Sequence, residues 1–142
     1  MTEHILVPID ESDPSSDAMQ FAIEHHPEAT ITAIHVVDPG EAFAGTSIEG
    51  AASRQDVLES QERHAEKLLE DVREKGESEG VTIETDTVVG NVSRSIIEYI
   101  EEHDIDHVVI GSHGRTGASR ILLGSVAESV TRRSPVPVTV VR

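Results

Sequence analysis

The chain contains no cysteine in 142 residues, which excludes a disulfide framework, thiolate chemistry and a cysteine-ligated zinc site. No apolar run is long enough to span a bilayer, and the opening residues Met1-Thr2-Glu3-His4 lack the basic, apolar pattern of a secretory signal. A cytoplasmic location is the expectation. Positive charge is scarce: 11 Lys and Arg face 27 Asp and Glu, the only lysines are Lys67 and Lys75, and no lysine or arginine precedes Arg54. Nucleic acid and anionic membrane are disfavoured as partners, because both need a positive surface. Acid-rich, lysine-poor surfaces suit proteins that stay soluble in concentrated salt, so the composition reads as halophilic.

What is present is a regular alternation of apolar strands and amphipathic helices, which argues against disorder and fits one domain over residues 1–142. Ile5-Leu6-Val7-Pro8-Ile9 reads as a central buried strand. Asp13-Pro14 then reads as a helix N-cap followed by proline at the first helical position. Residues 30–37 form a second strand, and residues 38–53, rich in Gly, Ala and Ser, read as a long loop. A charged amphipathic helix is expected from Arg54 to about Gly76, with Leu58, Ala65, Leu68, Leu69 and Val72 on one face. Val81 to Val89 suits a strand nearer the sheet edge, and a helix carrying Ile96, Ile97 and Ile100 follows. The fourth strand is His107 to Ile110, then a helix runs to about Arg133, and Pro135 to Val141 forms the last strand. Five strands alternating with four helices predict an α/β fold with a parallel sheet covered on both faces. Ligands of such sheets sit beyond the carboxyl ends of the strands, so residues 8–10, 36–38, 89–91 and 111–114 are expected to ring one crevice.

The most specific segment is Gly111-Ser112-His113-Gly114-Arg115, followed after an apolar stretch by Gly124-Ser125-Val126-Ala127-Glu128. Glycines at a strand end admit a ligand without a Cβ in the way. Ser125 and Glu128 match a capping box, and a helix start offers unpaired N–H groups and a positive dipole end, which suit a phosphate. Charge agrees. From Asp104 onward five arginines (Arg115, Arg120, Arg132, Arg133 and Arg142) face three acids, a balance of +2, whereas residues 1–103 carry −18. There is no Gly-x4-Gly-Lys-Ser/Thr loop and no Gly-x-Gly-x-x-Gly after the first strand, which excludes a P-loop NTPase and argues against a dinucleotide dehydrogenase.

Gly111, Gly114, Gly124 and Ser125 follow the pattern Gly, two residues, Gly, nine residues, Gly, Ser, and with the strand ends at Pro8 and Asp10 and at His35-Val36-Val37-Asp38 the whole chain resembles the universal stress protein family. The resemblance implies an open, twisted, Rossmann-like five-stranded parallel sheet in the order 3-2-1-4-5. It implies an ATP-binding module of the stress response, with Mg or Mn accompanying the triphosphate. The cofactor-binding positions it implies begin with Pro8, Ile9 and Asp10, where Asp10 and the backbone of Val36 face adenosine. Gly111 and Gly114 would lie under ribose and phosphates, and Gly124, Ser125 and Val126 would hold the triphosphate. A homodimer paired through residues 136–141 is a further implication. Val92 stands where many relatives have proline.

Alternatives stay open at several positions. Asp10 can bind adenosine or support the next helix. His113 and Arg115 can touch the ligand or face solvent. His103 and His107, with Asp104 and Asp106 between them, have metal-like spacing but are expected to fall on different elements. A slow ATPase on the same site, or an interaction protein of the same fold without nucleotide, are the competing functions. No catalytic residue is assigned, because no general base stands beside the expected phosphates.

Overall fold

The computed structural model describes residues 2–42, 51–112 and 123–142. Five strands, β1 (His4–Pro8), β2 (Thr30–Val37), β3 (Ile83–Val89), β4 (His107–Gly111) and β5 (Val138–Val141), form one parallel sheet in the order β3-β2-β1-β4-β5. Between them lie helices α1 (Asp13–His25), α2 (Pro39–Ala42), α3 (Ala51–Ser78), α4 (Val92–Glu102) and α5 (Ser125–Arg133). The sheet and its order are those expected. The central strand β1 pairs with β2 on one side, His4 opposite Thr30, and with β4 on the other, Ile5 opposite His107.

Side chains of a strand alternate between faces, so consecutive apolar residues in β1 feed two cores. Ile5 and Val7 pack with Met19 and Ile23 of α1 and Leu69 of α3, while Leu6 packs on the opposite face with Ile96 and Ile100 of α4 and Val130 of α5. Each of these strand residues is fully buried. The edge strand β3 shows alternate burial instead, as its sequence of Thr and acidic residues requires.

Several boundaries differ from expectation. The N-cap of α1 is Ser12, with Asp13 and Pro14 inside the helix, because the Ser12 side chain accepts from the N–H of Ser15. The long-loop reading of residues 38–53 is corrected at both ends. Asp38 accepts from the N–H of Gly40 at 2.9 Å and starts the one-turn helix α2, and α3 begins at Ala51. Four helices were expected, and α2 makes a fifth among the described residues. Val81 lies outside β3: its N–H donates to the carbonyl of Gly76, completing the turn out of α3 through Gly80, whose φ of +76° suits glycine. Likewise β5 starts at Val138, after both prolines.

Candidate functional site

All strands run the same way, so their carboxyl ends share one edge. There the connections from β1 and β4 depart toward opposite ends of the sheet, the position at which an open α/β sheet leaves a crevice. Backbone hydrogen bonds tie the rim together. The N–H of Ile9 donates to Ile34 at 2.7 Å, that of Gly90 to Val37 at 2.9 Å, and that of Ser112 to Val141 at 2.8 Å.

On the β1 side, Pro8 ends the strand, Ile9 is buried and Asp10 is half-buried. Asp10 Oδ1 accepts from the N–H of Ser12 at 2.7 Å and from the Ser12 hydroxyl, while the Asp10 N–H donates to Ser15 Oγ at 2.9 Å. Asp10 therefore supports the N-terminus of α1, one of its two expected roles, and does so at the carboxyl edge of the sheet. Val36, next strand over, is half-buried against the α4 face and registers with Val88. His35, a residue with no assigned role in the sequence pattern, reaches across to the β1 end: its Nδ1–H donates to the carbonyl of Ile9 at 2.7 Å. A histidine in a strand gives no sign in sequence of the carbonyl it will meet.

On the β4 side, Gly111 is buried at the strand end, but the space a side chain would take belongs to the protein itself. A Cβ there would overlap the carbonyl group of Pro14 and come within 2.8 Å of its Cβ. Close packing of α1 on β4 thus accounts for this glycine. His113, Gly114 and Arg115 lie outside the described residues.

At the start of α5 the expected capping box is corrected. Gly124 is the N-cap, Ser125 the first helical residue, and no side chain caps the helix. The helix begins one residue earlier in register than a Ser-x-x-Glu box requires, and Glu128 instead pairs with Arg132 at 3.1 Å. The first intrahelical bond at this end runs from the Glu128 N–H to Gly124. The N–H groups of Ser125, Val126 and Ala127 consequently have no acceptor within the helix. Ser125 is exposed, and Val126 anchors the turn by packing on the α4 side. Gly124 has φ −62° and ψ 156°, backbone open to any residue, so its lack of a side chain is not a conformational requirement.

Charge divides the rim. Asp10, Glu11, Asp13 and Asp38 stand on the β1–β2 half, whereas Arg142 follows directly on β5. His103 and His107 are drawn apart: His103 stacks on Tyr99 at the end of α4, and His107 hydrogen-bonds Thr139. Among the described residues no group of three or more His, Asp or Glu could hold a metal ion, and no helix is long and apolar enough to cross a membrane.

The sequence profile of the universal stress protein family matches residues 1–142. A universal stress protein of Methanocaldococcus jannaschii is 38% identical over 140 residues, covering 97% of this chain and 81% of its own. The structure of universal stress protein UspA from Lactobacillus plantarum has a TM-score of 0.81 at 26% identity, over 99% of this chain and 97% of that one. A universal stress protein solved in complex with cAMP has a TM-score of 0.69 at 26% identity, over 99% and 97%. With its fold, its strand order and a profile match over its full length, the chain belongs to the universal stress protein family.

Proposed function

We propose that this protein binds ATP at the carboxyl edge of the sheet and acts as a nucleotide-dependent module of the stress response, with residues 1–142 forming one nucleotide-binding unit in the cytoplasm. The observation that carries the reading is the uncapped start of α5. A serine or aspartate at position 124 would satisfy the first turn, yet the position holds glycine where its backbone does not ask for one. An anion placed there meets three N–H groups and the positive end of the helix dipole. Adenosine then falls on the acidic half of the rim, between Asp10 and the backbone of Val36, and the phosphates on the half that ends in Arg142. Gly114, His113 and Arg115 belong to the phosphate side of this reading, as does Gly111 through its backbone. The relative solved with cAMP lends support from a similar chain.

Mg or Mn would enter with the triphosphate, whose oxygens supply most of a hard cation's ligands. The Ser125 hydroxyl and the Asp10 carboxylate are oxygen donors of the matching kind. The protein's part is to hold and orient: the α5 turn receives the phosphates, and the Asp10 loop receives the nucleoside. We also propose a homodimer through residues 136–141, since β5 is an edge strand and all four of its residues are only partly buried.

The test is mass spectrometry of nucleotide released on denaturing the freshly purified protein, with calorimetric titration of ATP in the presence of Mg. ATP binding is expected in the wild type and absent in Gly124→Val, whose circular dichroism stays native. Equal ATP affinity in the two proteins refutes the assignment.

A further inference from the structure

Ile9 sits one residue beyond the end of β1, where the chain leaves the sheet, and neighbouring residues of β2 hold both of its backbone polar groups. Its N–H donates to the carbonyl of Ile34, and its carbonyl receives the Nδ1–H of His35, each at 2.7 Å. A carbonyl can only accept, so this bond requires a proton on Nδ1 of the imidazole. The side chain thereby replaces a ladder donor at the point where the backbones diverge. Asp10 comes next, with its N–H on Ser15 Oγ and its carboxylate on Ser12. Hydrogen bonds thus hold Ile9 to the β2 strand end, and the peptide bond from Ile9 leads directly to Asp10, whose carboxylate Ser12 holds in turn. The residue following His35 is Val36, the other side of the adenosine position.

We propose that His35 is a positioning residue. By holding the Ile9 carbonyl it sets the backbone direction from which Asp10 projects, and it couples that direction to the strand carrying Val36. The role for ligand binding rests on the nucleotide reading above, whereas the effect on the Asp10 backbone does not. Loss of the imidazole leaves the Ile9 carbonyl buried without its donor, and the loop is expected to turn it toward water, carrying Asp10 with it.

Variants of the full chain test this. His35→Leu keeps the bulk and removes the donor, and His35→Asn places an amide N–H where Nδ1 stood. Amide exchange at Asp10, followed by NMR, is expected to accelerate about tenfold or more in His35→Leu and to return to within about threefold of wild type in His35→Asn. ATP affinity should fall by about five- to tenfold in His35→Leu and recover in His35→Asn. In an Asp10→Ala background, adding His35→Leu should change affinity no further, because both act through one carboxylate. Unchanged Asp10 exchange in His35→Leu, or an asparagine variant as defective as the leucine one, overturns the proposal. So does equal acceleration at Val109 in the middle of β4, which marks general loss of stability. A wild type that binds no ATP refutes the nucleotide reading instead and leaves the Asp10 amide to decide the positioning role.

Discussion

Gly111 of β4 and Pro14 of α1 are packed so closely that the helix backbone occupies the space of a Cβ at position 111. The glycine that opens the phosphate-like motif is therefore also a packing residue behind the sheet. Gly111→Ala must push α1 away from β4, and overpacking of this kind costs about 1–3 kcal/mol. The loss should appear as a lower denaturant midpoint with no ligand present. A midpoint equal to that of wild type would show that α1 yields freely.

Position 124 separates stability from binding. Gly124→Asp supplies the missing cap of α5 and places a carboxylate at the positive end of its dipole, an expected gain of a few tenths to about 1 kcal/mol. The same carboxylate repels phosphate, so ATP affinity should fall while the melting temperature rises. A variant that gained stability with unchanged affinity would place the phosphates elsewhere.

Tyr99 is the only tyrosine in the chain, and there is no tryptophan, so tyrosinate absorbance reports on this residue alone. Burial, the charge of Asp86 and the hydrogen bond its hydroxyl donates to Asp86 at 3.1 Å push its pKa from 10.0 up to about 12, with Glu84 adding to the effect. A raised acid pKa means that the folded state keeps a proton which the unfolded chain gives up. This contribution is complete below pH 10 and is lost as pH rises toward 12, in all about 2–3 kcal/mol. The absorbance midpoint of the folded protein should lie near 12, and Tyr99→Phe should flatten the alkaline slope of stability. A midpoint near 10 would mean that the phenol is reached by solvent.

How the chain handles its own charge is tested by salt. With −18 in residues 1–103, self-repulsion opposes the folded state in dilute buffer, and screening relieves it. The melting temperature is expected to climb between low and molar potassium chloride. A flat profile would identify an ordinary acidic protein.

The dimer prediction concerns Val140, which pairs with Ile110 in the outer strand. Two strands meeting across a two-fold would bring like charges together in Val140→Lys, which should convert the dimer to a monomer in light scattering. A dimer that survives the substitution has its interface elsewhere.

The sheet was legible because β1, β2 and β4 are apolar runs whose lengths and turn signals leave little choice, as Ile5-Leu6-Val7 illustrates. The helix starts were less so, because adjacent residues offered competing caps. In Ser12-Asp13-Pro14 either of the first two can cap, and the Asp10 carboxylate, by holding the Ser12 N–H and hydroxyl, selects Ser12. In Gly124-Ser125 the better capping side chain loses to its neighbour by one position. Asp38-Pro39 carries the same start signal as Asp13-Pro14 but was hidden among small residues. At the site, Asp10 could be found from its place after an apolar strand and a proline, whereas the bond between His35 and Ile9 depends on strand pairing over 26 positions, which no local pattern records.

The position of β1 between β2 and β4 also sets an order of assembly. Its partner on one side begins at Thr30, but on the other the N–H of His4 reaches the carboxylate of Asp106, 102 positions along the chain. On the ribosome β1 and β2 can pair long before β4 emerges, and until then the outer edge of Ile5-Leu6-Val7 is an open, uncharged template for another strand. The nascent chain is thus most prone to misassociation in the interval before residues 107–111 appear, and a chaperone bound to that half-sheet would shield the edge that β4 later closes.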